Sequence, residues 1–414
     1  MRNFNNKPSF KDVFVVSLLI LPIMSRWLLP SSIETPLTKS IQNIPFYLPN
    51  ILIFIFLLFA LKNNRNIHLK LVFWIHFLFF TIGVLVNEYT DKLAFIFSGT
   101  YYFYAIFIAL HYRLSSNQKI ILKRFLFISL LLLFIQVVLY STGILEYSLD
   151  ITSGYEIGGV YRISTTVGAA TGTAGLIFLI GCLVFYLYGK TFSGYSALII
   201  TALSLLLLIS RGAIAAFGLF SLLYFWNDIR KSFKKFFITV FLLGVIITSI
   251  YKIGLFDPLL TRIEAQTYEN NLYSGRDVLI ESTLSTVDKS SSYLFGVGTG
   301  NIYPSKDVKI LNIKSKYPGA PHNSFVLIFA EQGIFGLLLF GIFWSVLLFT
   351  IKKNKTLFYT LLSFVVVLFN TETVFIVDSE YVFLLSIAIM MALDKSPNIQ
   401  KSNIKPSKII INKY

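Results

Sequence analysis

The stretch Ser204-Leu205-Leu206-Leu207-Leu208-Ile209-Ser210-Arg211-Gly212-Ala213-Ile214-Ala215-Ala216-Phe217 decides how the chain is threaded. Read as one apolar run, it is a single long broken helix. Read as two, with Ser210-Arg211 as the junction, it closes one membrane span and opens the next, and the choice inverts everything downstream. Charge arbitrates, because basic residues collect on the cytoplasmic side of a membrane protein. With the N-terminus in the cytoplasm and the stretch split, the inside segments carry Arg2, Lys7 and Lys11, then Lys62, Arg65 and Lys70, then Arg113, Lys119, Lys123 and Arg124. Lys190, the Arg230 to Lys235 cluster, Lys352, Lys353 and Lys355, and the lysines of the C-terminal tail follow. Of the acids, only Asp12, Asp228 and Asp394 fall inside. Merging the two runs would place Arg230 to Lys235 outside, so the split is favoured.

The composition says why spans are the right unit. The chain has 414 residues, 55% hydrophobic and only 14% charged, with a mean hydropathy of +0.72. A soluble domain carries about a quarter charged residues. Apolar runs near the ~20 residues a bilayer requires recur throughout. The expected fold is an all-α polytopic membrane protein with about twelve transmembrane helices. These lie near 12–30, 44–61, 71–86, 93–111, 121–140, 166–188, 195–210, 212–227, 236–252, 322–350, 356–371 and 379–394. Residues 1–252 would hold the first nine spans, 253–321 one large extracytoplasmic loop carrying amphipathic helices, 322–394 the last three spans, and 395–414 a cytoplasmic tail. The basic start followed by Arg26-Trp27, with no small-residue cleavage site, reads as an uncleaved signal anchor. The single cysteine, Cys182, excludes intramolecular disulfides and thiolate metal clusters. The net charge of +16 reads as an orientation signal and an anionic-lipid contact, not a nucleic-acid surface.

The long run from Asp257 to Gly336 is where chemistry is expected. Ser274-Gly275-Arg276-Asp277 fits a capping box with Ser274 as N-cap and Asp277 at the third helical position. Leu279, Ile280, Thr283, Leu284 and Val287 follow at helical spacing, so Arg276 shares the apolar face of an amphipathic helix. Two readings of Arg276 stand: a guanidinium aimed at the bundle from a helix N-terminus, or a surface arginine paired with Asp277 or Glu281. Arg211 at its junction is either functional or snorkelling to headgroups. Gly296-Val297-Gly298-Thr299-Gly300 lacks nucleotide-loop spacing, lies where no ATP is present, and reads as a tight turn needing positive φ.

Pro321 suits the first position of a helix, which puts His322 in the first turn of the tenth span. The helix-end field there favours a neutral imidazole able to accept a proton, while the plainer reading is a helix cap or lipid contact. Glu331 lies roughly 13 Å deeper at 1.5 Å per residue and needs a partner or a wet cavity. Gly333 and Gly336 beside it suggest close helix packing, and Glu331 reads as holding the bundle through a buried hydrogen bond. His68, His76 and His111 show no supporting pattern. Glu372, Asp378 and Glu380 could hold a divalent cation, but such loop acids are usually just solvated, and no metal site is expected.

Taken together, Ser210-Arg211-Gly212 between two spans, an arginine in the large loop, the glycine turn, and His322-Asn323 running into Glu331-Gln332-Gly333-Ile334-Phe335-Gly336 resemble the O-antigen polymerase and ligase superfamily. The matching block covers about Tyr195 to Phe340. Tyr161-Arg162-Ile163-Ser164 partly resembles the family's first periplasmic loop, with Ala169-Ala170 where Asn-Pro is often found. The resemblance implies glycan transfer at the periplasmic face of the bacterial inner membrane, from a polyprenyl-diphosphate-linked donor, with no nucleotide sugar, cofactor or metal. His322 would take the proton of the attacking hydroxyl, and Arg211 and Arg276 would hold the diphosphate. Arg162, Asn323 and Glu331 would contact substrate. One direct displacement would invert the anomeric centre.

Three functions are weighed. A polymerase extends lipid-linked repeat units and is favoured, with a chain-length regulator as a candidate partner. A ligase moves the glycan to lipid A–core. A flippase or transporter would place charge at mid-membrane and show repeated broken helices, whereas the ionisable residues here gather toward the outer face.

Overall fold

A computed structural model describes residues 9–28, 67–86, 102–103, 105–141, 144, 170–232, 237, 252, 276–298, 302, 321–371 and 379–394. Every regular element among them is a helix. The helices are α1 (Phe10–Leu28), α2 (Ile67–Val86), α3 (Ser116–Ser141), α4 (Ala170–Tyr188), α5 (Phe192–Leu207), α6 (Arg211–Arg230), α7 (Arg276–Ser290), α8 (Ser324–Ile351), α9 (Lys355–Ser363), α10 (Phe369–Thr371) and α11 (Ser379–Leu393). A π-helical turn, Phe364–Leu368, joins α9 to α10. The expected span near 44–61, that near 236–252 apart from residues 237 and 252, and much of 93–111 lie outside the described residues, as do Arg162, Ser274 and the tail.

Helix α2 shows why this bundle belongs in lipid. Leu69, Phe73, His76 and Phe80 are buried, while Ile67, Leu71, Trp74, Leu78, Ile82 and Leu85 form an exposed stripe at the same helical spacing on the other side. A helix apolar on its outward face has no place against water. Helices α3 and α8 are long and apolar enough to cross a bilayer, and shorter apolar helices surround them. The protein is therefore a helical membrane protein.

The stretch around Ser210 is split. Helix α5 ends at Leu207, Ile209 turns the chain at φ 52, and α6 starts at Arg211. Lys190, just before α5, lies 5.8 Å over the Tyr224 ring near the far end of α6, so the two helices run antiparallel. Helices α4 and α5 meet closely because Gly181 has no side chain: a Cβ there would lie 1.9 Å from Thr201 Oγ1.

Charge and polarity mark the two ends of the bundle. At one end Arg113 Nε donates to Asp394 Oδ1 at 3.1 Å, and Lys119 pairs with the same carboxylate. Ser115 Oγ donates to Asp12 at 2.9 Å beside them, tying α1, α3 and α11 together. The opposite end carries the starts of α6, α7 and α8.

Candidate functional site

Three chain segments converge on the last residues of α10. The Arg276 guanidinium, at the start of α7, donates through Nη1 to the Thr371 carbonyl at 2.5 Å. Gly212, beside Arg211, lies against Thr371 so closely that a Cβ would sit 2.5 Å from its Oγ1. Asn323 Nδ2, at the start of α8, donates to Asn370 Oδ1 at 3.4 Å. The N-termini of three helices are thus gathered around Asn370 and Thr371. A helix N-terminus carries a partial positive charge from its backbone N–H groups, two of which at α8 are already taken by the Asn323 side chain.

Local sequence explains the anchoring of α10. Phe369 is fully buried and packs edge-on against Phe325, Trp344 and Phe364, fastening the start of α10 to α8. Just beyond it, Asn370 Nδ2 donates to the Val366 carbonyl and Thr371 Oγ1 to that of Val367. On α7 the expected stripe is present: Thr283 and Val287 are buried, Leu279 and Ile280 partly so, and Leu284 lies at the exposed edge. Arg276 shares that face. The described helix begins at Arg276 itself, with Asp277 in its first turn.

Arg211 is exposed at this end, and the positive charge of Arg276 bears on it. Two guanidinium groups held beside three helix N-termini make a strongly electropositive point, suited to an anion with several oxygens.

The start of α8 differs from the expectation. His322 is not in the first turn; Asn323 is the N-cap, accepting from Phe325 N at 3.0 Å and Val326 N at 3.1 Å. An asparagine side chain satisfies two of the orphan donors, which Pro321 at a first helical position could not do. His322 stands just outside the helix in the left-handed region, φ 47.

The polar run also departs from a simple surface loop. Helix α8 is broken at Gly333, whose φ 66 and ψ −167 form a combination essentially reserved for glycine. Residues 293–298 fill the break. Val297 N donates to the Ala330 carbonyl at 2.8 Å and Gly298 N to that of Glu331 at 3.1 Å, while Ile334 N and Phe335 N donate to the carbonyls of Tyr293 and Leu294 at 2.9 and 3.3 Å. The donors and acceptors that the break takes from the helix are therefore supplied by the loop. Gly333 is nine residues from Ser324, roughly 14 Å along the axis at ~1.5 Å per residue. Tyr293-Leu294-Phe295, part of the run expected to stay outside the bilayer, thus descends alongside α8, with Phe295 stacked on Phe335 at 5.4 Å.

Glu331 and Gln332 are buried in this break, at 1% and 2% exposure. Gly336 leaves room for the Gln332 side chain, whose Oε1 lies 3.2 Å from His76 Nε2 on α2. His76 thus has a polar partner that its own span did not reveal. His111 Nδ1 lies 2.9 Å from the Phe107 carbonyl, and His68 is exposed. Glu372 and Asp378 lie outside the described residues, and Ser379 and Glu380 open α11. Sequence reasoning missed Asn370 and Thr371, although a polar pair closing an apolar run was visible.

Fold and site together define a helical membrane protein with a cationic site where several helix N-termini meet at one end of its bundle. Over residues 196–341, the block that builds most of this end, the chain is similar to the O-antigen ligase family, whose model matches there. That similarity supports a role in O-antigen and lipopolysaccharide assembly. No curated protein matches the chain.

Proposed function

We propose that this protein is a membrane glycosyltransferase that polymerises polyprenyl-diphosphate-linked repeat units at the extracytoplasmic face. The observation that carries the reading is the meeting at Thr371 of Arg276 and of Gly212, the neighbour of Arg211, inside and beside the family-matched block. A diphosphate is a multivalent anion with planar oxygen pairs, which guanidinium groups grip bidentately. In the transfer, a hydroxyl of the acceptor sugar attacks the anomeric carbon of the donor. His322 takes the hydroxyl proton, the new glycosidic bond forms, and the bond from the anomeric carbon to the diphosphate oxygen breaks. Arg211 and Arg276 stabilise the charge gathering on the departing polyprenyl diphosphate. One displacement inverts the configuration. Asn323 and Arg162 are assigned to the sugar chain, and Glu331 to supporting the break in α8. No metal or cofactor takes part.

The basic end of the bundle, with Arg113, Lys119 and Lys123, supports a cytoplasmic placement for that end and an extracytoplasmic one for the site. A ligase is the second reading, favoured by the description of the matching family. Transport is disfavoured: a transporter uses the exposed ends of a broken helix to bind its substrate, whereas here the loop occupies the break. A lipopolysaccharide gel of a deletion strain tests the proposal. Core carrying one repeat supports the polymerase, bare core the ligase, and an unchanged ladder rejects both.

A further inference from the structure

The loop inserted at Gly333 does more than repair a helix. A Cβ on Gly296 would lie 2.3 Å from the Glu331 carbonyl carbon, and one on Gly333 would lie 2.3 Å from that of Leu294. Both obstacles are backbone, which cannot rotate away. The two strands of chain therefore meet main chain to main chain, and only glycine fits on either side. On one side of this splice, a short turn leads directly back to α7, which packs on α8 and begins with Arg276. On the other side, one unbroken helical run, residues 324–332, leads back to Asn323 and His322. The splice is a backbone link between α7 and the upper part of α8 in addition to the covalent chain between residues 298 and 321.

Resting on the glycan-transfer reading, we propose that Gly296 and Gly333 are positioning residues. Their backbone splice joins α7 and the first half of α8 into one unit and fixes the Arg276 guanidinium relative to the His322 imidazole during transfer. The splice stays closed through the reaction and is not a gate.

The test uses the full chain in native membranes, with buried Cys182 left in place. Phe295→Cys is combined with Phe335→Cys, whose rings are stacked across the splice, and the pair is oxidised. The expected result is an intramolecular cross-link and a glycan-transfer rate within about twofold of the reduced form. A cross-linked protein that is inactive and recovers on reduction overturns the proposal, because the splice would then have to open. Gly333→Ala is expected to reduce both the cross-link yield and the rate. Gly341→Ala, in the same helix but facing open space, changes neither.

The third arm separates positioning from simple loss of fold. If the splice acts through Arg276, adding Gly333→Ala to Arg276→Lys lowers the residual rate by no more than about threefold beyond the worse single variant. Rate losses that multiply overturn the proposal while leaving the parent reading standing. A full rate in Arg276→Lys alone overturns the parent reading, and the proposal with it, while the cross-link still reports on the splice. Should Gly333→Ala not reach the membrane, the cysteine pair decides.

Discussion

Arg276 Nη1 donates to the carbonyl of Thr371, so a guanidinium from the large loop is anchored on the main chain at the end of α10. The acceptor is a backbone carbonyl, which carries no full negative charge to cancel that of the guanidinium. Lysine at 276 could reach the same carbonyl with one ammonium hydrogen but has no second planar edge to offer a diphosphate. Arg276→Lys is expected to lower glycan transfer by about 100-fold or more, the scale of losing one preorganised donor, with normal protein in the membrane. Glycan of near-normal length in a complemented deletion strain would reject a bidentate role.

His322 needs a substitution that separates its ring from its backbone. At φ 47 the residue adopts a conformation that asparagine tolerates far better than most side chains. His322→Asn should therefore keep the turn into α8, and so the fold, while removing the proposed base. The expected loss of rate is about 10² to 10⁴-fold, the usual contribution of a positioned general base. Robust chain growth in His322→Asn would remove His322 from the reaction.

How much of this was legible in advance depended on how local each signal was. The split at Ser210-Arg211 could be read because the basic residues that flank the spans, the Arg230 to Lys235 cluster above all, report orientation from the sequence alone. The buried stripe of α7 could be read from spacing alone. Gly296 and Gly333 each carried an ordinary local explanation, a turn and a packing glycine, and their meeting depends on a fit between two distant backbones. The Thr371 carbonyl was invisible for a related reason, since every residue has one. Pro321 misled because a good first-turn residue stood two places before a better N-cap, Asn323.

Metal chemistry offers a separate check, since the proposed reaction relies on guanidinium groups for charge. Chelator added to membranes should leave the rate of glycan transfer unchanged, because in the proposed reaction Arg211 and Arg276 do the work that a divalent cation performs on diphosphates elsewhere. Inhibition that is reversed by a divalent cation would return attention to Glu372, Asp378 and Glu380.

The polar contact beneath the break gives the last prediction. His76 and Gln332 are both almost fully buried, and their side chains meet at 3.2 Å between α2 and α8. Removing one partner leaves the other in an apolar core, which costs about 1–3 kcal/mol, whereas replacing both with apolar groups of similar shape can be nearly neutral. His76→Leu alone should lower the thermal stability of the detergent-solubilised protein, followed by loss of the monodisperse peak on heating. His76→Leu combined with Gln332→Met should recover most of that loss, because methionine occupies the space left beside Gly336 without an amide to satisfy. The recovery would show that the pair fastens α2 to α8 without taking part in transfer, and the double variant should then keep its glycan-transfer rate. A double variant as unstable as the single would mean that the contact is held by packing around His76 and not by its hydrogen bond.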